Sequence, residues 1–212
     1  MKRYVRSLDR LLVGTVISFA FGQAAYAEVF GDAISDSEMG LIPSYCRYTQ
    51  TFPGSAKEPS IYQGYVERYG TGWTHMHHYC WALLAMARYD RPGNDRQTKN
   101  ALARGAVADL NYVLRNAPAE FAFRFDVLTR KGKALIRNGQ LKEARAVSEA
   151  VLNQWPDRAD SYALAAELEW SSNRRGELSK LFELARPKVR DLERLEQIRA
   201  VYQESESRKR QP

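Results

Sequence analysis

The feature that most constrains the fold is a helical period that runs from Gly72 to about residue 203. Apolar side chains recur there at steps of three and four residues, so each segment presents one apolar face. Short turn signals rich in Pro, Gly and Asn interrupt the period at residues 91–95, 116–118, 138–139 and 155–156. No segment after Gly72 has the alternating pattern of a strand, so we predict an all-α fold class.

The turn signals divide this region into helices of about 10 to 20 residues that are joined in pairs by tight turns. Two helices are expected between residues 73 and 116, and five more at about 121–137, 141–153, 159–170, 176–185 and 187–203. Paired helices in series are typical of helical-repeat proteins, in which each pair packs on the next. We therefore predict a short helical-repeat stack of about three helix pairs in residues 73–203, ending in a C-terminal capping helix.

One window of the chain resembles a known repeat family. Residues 125–158 resemble a tetratricopeptide repeat of the usual length of about 34 residues. The matching positions are Leu128, Gly132, Gly139, Leu141, Ala144 and Pro156. Gly132 and Ala144 are small, which lets the two helices of the pair approach, and Gly139 tolerates the positive φ of a helix end.

The following window, residues 159–192, resembles the same repeat more loosely. The positions that fit are Tyr162, Ala165, Ala166, Phe182 and Ala185. The window departs from the pattern at Asn173, where Gly is expected, and at Leu178, where a small residue is usual. Residues 73–118 share only the architecture. The resemblance implies a tetratricopeptide-like stack whose first helices line a groove for a partner.

Residues 28–72 form an irregular leader ahead of the repeats. The leader contains several prolines and no sustained helical period apart from a short predicted helix at about residues 59–69. Its aromatic side chains supply too much apolar area to stay in water, and they are Tyr45, Tyr48, Phe52, Tyr62, Tyr65 and Tyr69. We therefore predict that the leader packs against the first helices.

The beginning of the chain has the pattern of a cleaved signal peptide. A basic segment precedes an uncharged apolar run at residues 11–21, and Ala25 and Ala27 supply the small residues of a cleavage site. The run is shorter than the roughly 20 residues that span a bilayer. We predict cleavage after Ala27, export to the periplasm and no stable membrane insertion of the mature chain. An uncleaved membrane anchor is the alternative.

The two cysteines and the charge of the chain fit this compartment. Cys46 and Cys80 are the only cysteines, and an even pair in an oxidising compartment is typically bridged, so we predict a disulfide. The chain carries a net charge of +7, of which the predicted signal peptide contributes +3. The remaining charge is too small and too mixed to indicate nucleic-acid binding. Residues 204–212 are predicted to be a flexible basic tail.

All three histidines of the protein lie within residues 73–81. His75 and His78 are three residues apart and share a helix face, a spacing at which two imidazoles can bind zinc or copper, although a full site needs one or two further ligands. The structural alternative is that these histidines form hydrogen bonds with tyrosines and backbone atoms of the leader. A contact with a polar ligand is a third possibility.

Sequence motifs of catalysis are missing from the chain. It has no Gly-x-Ser-x-Gly, no phosphate-binding loop, no dinucleotide fingerprint and no HExxH, so we predict a protein that is not an enzyme and needs no cofactor. The resemblance places groove positions on the first helices of neighbouring repeats, namely Thr129, Lys133, Arg137, Asp160, Glu167 and Trp170. We predict that Lys133, Arg137, Glu167 and Trp170 bind a protein or peptide partner. The alternative for each is an ordinary solvated residue and, for Trp170, a place in the core.

Two hypotheses about function follow from these observations. The first is a periplasmic adaptor or scaffold that binds another protein of a cell-envelope assembly. The second is a metal- or cofactor-binding periplasmic protein that uses His75 and His78. The first is favoured because a helical-repeat stack offers an extended binding surface, whereas the histidine cluster lacks a complete ligand set.

Overall fold

The computed structural model describes residues 34–50, 52 and 58–210. These residues are helical or irregular and contain no strand, which confirms the predicted all-α class. The chain from Ser35 onward forms one compact unit. The predicted signal peptide of residues 1–27, with its cleavage site at Ala27, lies outside the described residues. Every helix in the described part of the chain is too short or too polar to cross a membrane.

The α-helices follow one another with short connections. They are α1 (Asp36–Met39), α2 (Pro59–Tyr69), α3 (Met76–Tyr89), α4 (Arg96–Asn116), α5 (Arg124–Arg137), α6 (Leu141–Gln154), α7 (Ala159–Ser171), α8 (Leu178–Ala185) and α9 (Leu192–Arg210). Short 3₁₀-helices cover Ser44–Tyr48, Gly70–His75 and Arg175–Glu177. The short leader helix α2 has the predicted bounds, and α5, α6 and α7 differ from their predicted bounds by three residues or fewer.

The last helix differs from its prediction at both ends. It begins at Leu192 rather than at residue 187, because the Arg190 N–H donates to the carbonyl of Asp157 and keeps the preceding residues in a turn. It then continues to Arg210, so residues 204–210, which the sequence assigned to a tail after the last helix, are helical. Arg208 and Glu204 lie one helical turn apart, and the ion pair between them supports this extension.

Three helix pairs and the final helix stack in chain order. Within the pairs, α3 packs on α4, α5 on α6 and α7 on α8. The first helices of neighbouring pairs also meet, since α3 contacts α5, α5 contacts α7, and α7 contacts α9. This arrangement confirms the predicted stack with a capping helix.

Apolar clusters lie between the helix pairs from α5 to α9. The first joins α5, α6 and α7 and consists of Phe125, Leu135, Ile136, Ala144, Val151, Leu164 and Leu168. The second joins α7, α8 and α9, with Tyr162, Ala166, Leu178, Phe182, Leu195 and Ile198 among its members. Each cluster buries side chains from the end of one helix pair and the start of the next, so the pairs hold one another in place.

The ends of α5 and α7 have the same backbone geometry at positions 34 residues apart. Gly139 has a φ of +75° and Asn173 a φ of +57°. The next residue closes the same helix-ending hydrogen bond in both cases, from the Gln140 N–H to Leu135 O and from the Arg174 N–H to Glu169 O. Asn is the residue after Gly that best tolerates this conformation, so Asn173 preserves the turn despite its departure from the repeat pattern.

Gly132 lies at a close approach between α5 and α7. A Cβ atom added to Gly132 would lie 2.7 Å from both Cδ atoms of Leu164. The small residue therefore makes room for the first helix of the next pair, whereas the sequence had suggested room for the second helix of its own pair. Leu164 is fully buried at this contact.

From Ser35 onward, the described residues of the leader contact the first helices. Cys46 and Cys80 form a disulfide with a Cα–Cα distance of 5.7 Å, which confirms the predicted bridge. Tyr65 stacks on Trp73 with ring centroids 4.2 Å apart. Glu38 of α1 is buried and accepts hydrogen bonds from Arg88 at 2.7 Å and from Arg91. The disulfide and this ion-pair cluster both fix the leader to α3.

Candidate functional site

The structure brings Lys133, Arg137 and Glu167 together on one surface. Lys133 and Arg137 lie one turn apart on α5, and Glu167 faces them from α7. Lys133 Nζ is 3.7 Å from Glu167 Oε2, and both side chains are about one quarter exposed, at 27% and 26%. We call the surface formed by Asp90, Arg130, Lys133, Arg137, Asp160 and Glu167 the first-helix face.

Ion pairs along the first-helix face connect each first helix to the next. Arg137 Nη2 of α5 is 3.0 Å from Asp90 Oδ2 at the end of α3, and its guanidinium group lies over the ring of Tyr89. Arg194 Nη2 of α9 is 3.1 Å from Asp160 Oδ1 of α7. Half-exposed pairs of this kind each stabilise a fold by only about 0–1 kcal/mol, so a charged partner can exchange with them at small cost.

Trp170 is partly buried like the other predicted site residues, but its contacts are those of a core residue. Its ring is half-buried, lies 5.6 Å from the ring of Tyr202 in α9 and packs against the cluster between α7, α8 and α9. The guanidinium group of Arg175 covers the ring at 4.5 Å. This environment matches the core alternative for Trp170 more closely than an exposed anchor. Thr129, a groove position in the sequence analysis, is buried and donates to Phe125 O at 2.8 Å.

An open pocket adjoins the first-helix face where the leader meets α3 and α5. It has a volume of about 340 Å³ and is lined by Leu41, Pro43, Leu83, Met86, Ala87, Asp90, Arg130 and Arg137. We call it the leader pocket. Sequence reasoning missed it because its walls come from distant parts of the chain. One signal was present, since Arg130 continues the spacing of Lys133 and Arg137 along α5.

The histidine cluster lies at the junction of α3 and α4. His78 Nδ1 is 2.6 Å from Oδ1 of the buried Asp109, and the His78 ring lies 3.9 Å from that of Tyr112. His77 Nδ1 lies 3.1 Å from the carbonyl oxygen of Thr74. The contacts of His78 therefore join α3 to α4, whereas those of His77 stay within its own turn and use no leader tyrosine.

The environment of His75 and His77 lowers the pKa of both imidazoles and so favours their neutral form. Burial lowers the pKa of His77, and the neighbouring His78 lowers it further. Burial and His78 lower the pKa of His75 in the same way. The residues that the structure describes contain no group of three or more His, Cys, Asp or Glu side chains arranged to hold a metal ion. Cys80, a possible further ligand, is engaged in the disulfide.

Comparison of the chain with protein-family models, with curated proteins and with solved structures finds no match in any of the three.

Proposed function

We propose that this protein is an interaction module, an adaptor or scaffold that binds a protein segment on its first-helix face. The observation that carries the proposal is the meeting of Lys133, Arg137 and Glu167 on adjacent first helices, beside an open pocket. A face with half-exposed charges of both signs suits a partner that presents complementary charges along an extended segment. The proposed role is non-catalytic.

The geometry of the repeats supports membership of the tetratricopeptide class. The positive-φ residues Gly139 and Asn173 and the hydrogen bonds that follow them recur after 34 residues. That spacing equals the usual period of these repeats. If the chain belongs to this class, its proposed binding face is formed by α3, α5, α7 and α9.

The disulfide supports the proposed location in the periplasm. Structural disulfides persist in oxidising compartments such as the bacterial periplasm. Cys46 and Cys80 are both fully buried, as expected of a bond that holds the fold together. An exported chain with a cleavage site after Ala27 would meet its partner in the cell envelope.

The charges of the face suggest how a partner binds. Lys133 and Arg137 would each exchange an internal carboxylate for one on the partner, while Glu167 would become available for a cation. Because α5 and α7 are held by a shared core, these side chains stand on rigid elements, and binding requires little ordering of the backbone. Such exchange provides specificity and fast association rather than a large net affinity.

Site-specific photo-crosslinking in intact cells tests the proposal. A crosslinking residue at Asp160, which lies on the first-helix face, should yield a discrete covalent product with an envelope protein. The matched control is Glu183, an exposed acidic residue on α8, the second helix of the same pair. Equal crosslinking from the two positions, or none from either, would contradict the proposed face.

A further inference from the structure

We propose that the leader pocket receives an apolar side chain from an acidic segment of the partner protein. This inference rests on the proposed function, because it names the chemistry of the partner segment that the first-helix face binds. It assigns a binding role to Arg130 and to three apolar residues, Leu41, Leu83 and Met86.

The apolar part of the lining comes from two parts of the chain, and the rest of the lining is charged. Leu83 and Met86 lie three residues apart on α3 and therefore line the same side of that helix. Leu41 of the leader belongs to the same lining, and 63% of its surface is exposed. A leucine that remains this exposed in a pocket lining gains stabilisation when a partner side chain covers it.

The charged part of the lining favours an acidic segment. Arg130 and Arg137 place two guanidinium groups on the lining, against the single carboxylate of Asp90. Asp90 is already engaged by Arg137 at 3.0 Å, so the lining carries an excess positive charge. A carboxylate on the partner next to the inserted apolar side chain would complement that charge, whereas a basic neighbour would be repelled.

The side of the leader pocket that the leader forms is fixed before any partner binds. Arg88, which is buried, and Arg91 hold the carboxylate of Glu38, three residues before Leu41. The Cys46–Cys80 disulfide holds the leader to α3 on the other side of Pro43. A pocket that is preformed in this way binds without the entropic cost of ordering a loop.

The test uses short peptides with blocked ends and the mature chain carrying ¹³C-labelled methyl groups. The probe is acetyl-Asp-Glu-Leu-Glu-Asp-amide, compared with the same peptide with Ala in place of Leu and with a peptide in which Lys replaces every acidic residue. We expect the Met86 methyl resonance to shift saturably with the probe. Binding should weaken by about fourfold or more with the Ala peptide, the effect of losing one buried methylene group or more. Binding should be lost with the Lys peptide.

Two variants distinguish binding in the leader pocket from nonspecific hydrophobic binding. Leu41→Ser removes the exposed leucine of the lining, and Leu184→Ser changes a leucine on α8 that is equally exposed, at 62% against 63% for Leu41. Leu41→Ser should weaken probe binding about fourfold or more, and Leu184→Ser should leave it unchanged. Because both side chains are exposed, neither variant should lose its fold, and a thermal melt checks this.

Three results would overturn the inference. They are saturable binding that Leu41→Ser leaves unchanged, equal binding of the Lys peptide, and no shift of the Met86 methyl with the probe. If one of these occurs while crosslinking from Asp160 still captures a partner, the first-helix face keeps its proposed function and only the leader pocket loses its role. If crosslinking from Asp160 also fails, the proposed roles of the first-helix face and of the leader pocket are both contradicted.

Discussion

Replacing Gly132 with Ala tests the close approach of α5 and α7 on which the repeat stack depends. An alanine Cβ at this position would lie 2.7 Å from two carbon atoms of Leu164, which is closer than packed carbon atoms tolerate. Leu164 is fully buried and has little room to move. Because the neighbour is a side chain rather than backbone, we expect α5 and α7 to shift slightly apart rather than to unfold.

The expected magnitude follows from two opposing effects. Alanine stabilises a helix interior by about 0.5–1 kcal/mol relative to glycine. Overpacking of a filled core costs about 1–3 kcal/mol. The net effect of Gly132→Ala is therefore a loss of up to about 2.5 kcal/mol in the free energy of unfolding. A loss of 1 kcal/mol lowers the melting temperature of a chain of this size by about 2–4 °C.

Gly64→Ala is the matched control because Gly64 also lies inside a helix, α2, and an added Cβ there meets no atom within 4 Å. This variant keeps the helix-propensity gain and lacks the clash, so its melting temperature should rise. The difference between the two variants, about 1–3 kcal/mol in urea unfolding, measures the steric cost alone. Equal stabilisation by both substitutions would refute the close approach at Gly132.

Three further predictions concern the leader and Trp170. Arg88 holds the pKa of Glu38 at about 2, against an ordinary value of 4.5, so the contribution of Glu38 to stability is complete above pH 4.5 and is lost as the pH falls towards 2. For Glu38→Gln, urea unfolding at pH 7 should show a loss of about 3–5 kcal/mol in the free energy of unfolding. An unchanged urea midpoint would contradict the buried ion pair. The double variant Cys46→Ala with Cys80→Ala should lose about 3–4 kcal/mol, the chain-entropy effect of a sequence separation of 34 residues, and a loss below about 1 kcal/mol would show that the leader needs no tether. Trp170→Ala should lower the free energy of unfolding by about 2–3 kcal/mol because the ring packs under α9, and a melting temperature equal to that of the parent protein would instead favour an exposed anchor.

Local patterns predicted most of the helices because helix formation depends largely on neighbouring residues, although both ends of α9 differ from their prediction. The turn at Gly139 follows from the conformational freedom of glycine, and the equivalent turn at Asn173 from the tolerance of asparagine for positive φ. The Cys46–Cys80 bridge followed from composition, since the chain has only one possible pair.

Features that depend on contacts between distant residues were not predictable in this way. The neighbour of Gly132 is set by the spacing of the helix pairs, which a single window of sequence does not encode. The half-buried position of Trp170 depends on where α9 begins, and a backbone hydrogen bond between Arg190 and Asp157 helps to determine that start. The leader pocket needs α3, α5 and the leader together, so its residues had no common signal in the sequence.

A charge swap between Lys133 and Glu167 tests whether the first-helix face binds a partner. Lys133→Glu together with Glu167→Lys exchanges the two charges while keeping them opposite each other, so the internal ion pair and the stability of the fold are retained. The face then presents the reversed pattern to a partner. With the crosslinking residue at Asp160, the swapped protein should melt at the parental temperature and lose most of its crosslinked product. An undiminished yield of that product would contradict the account.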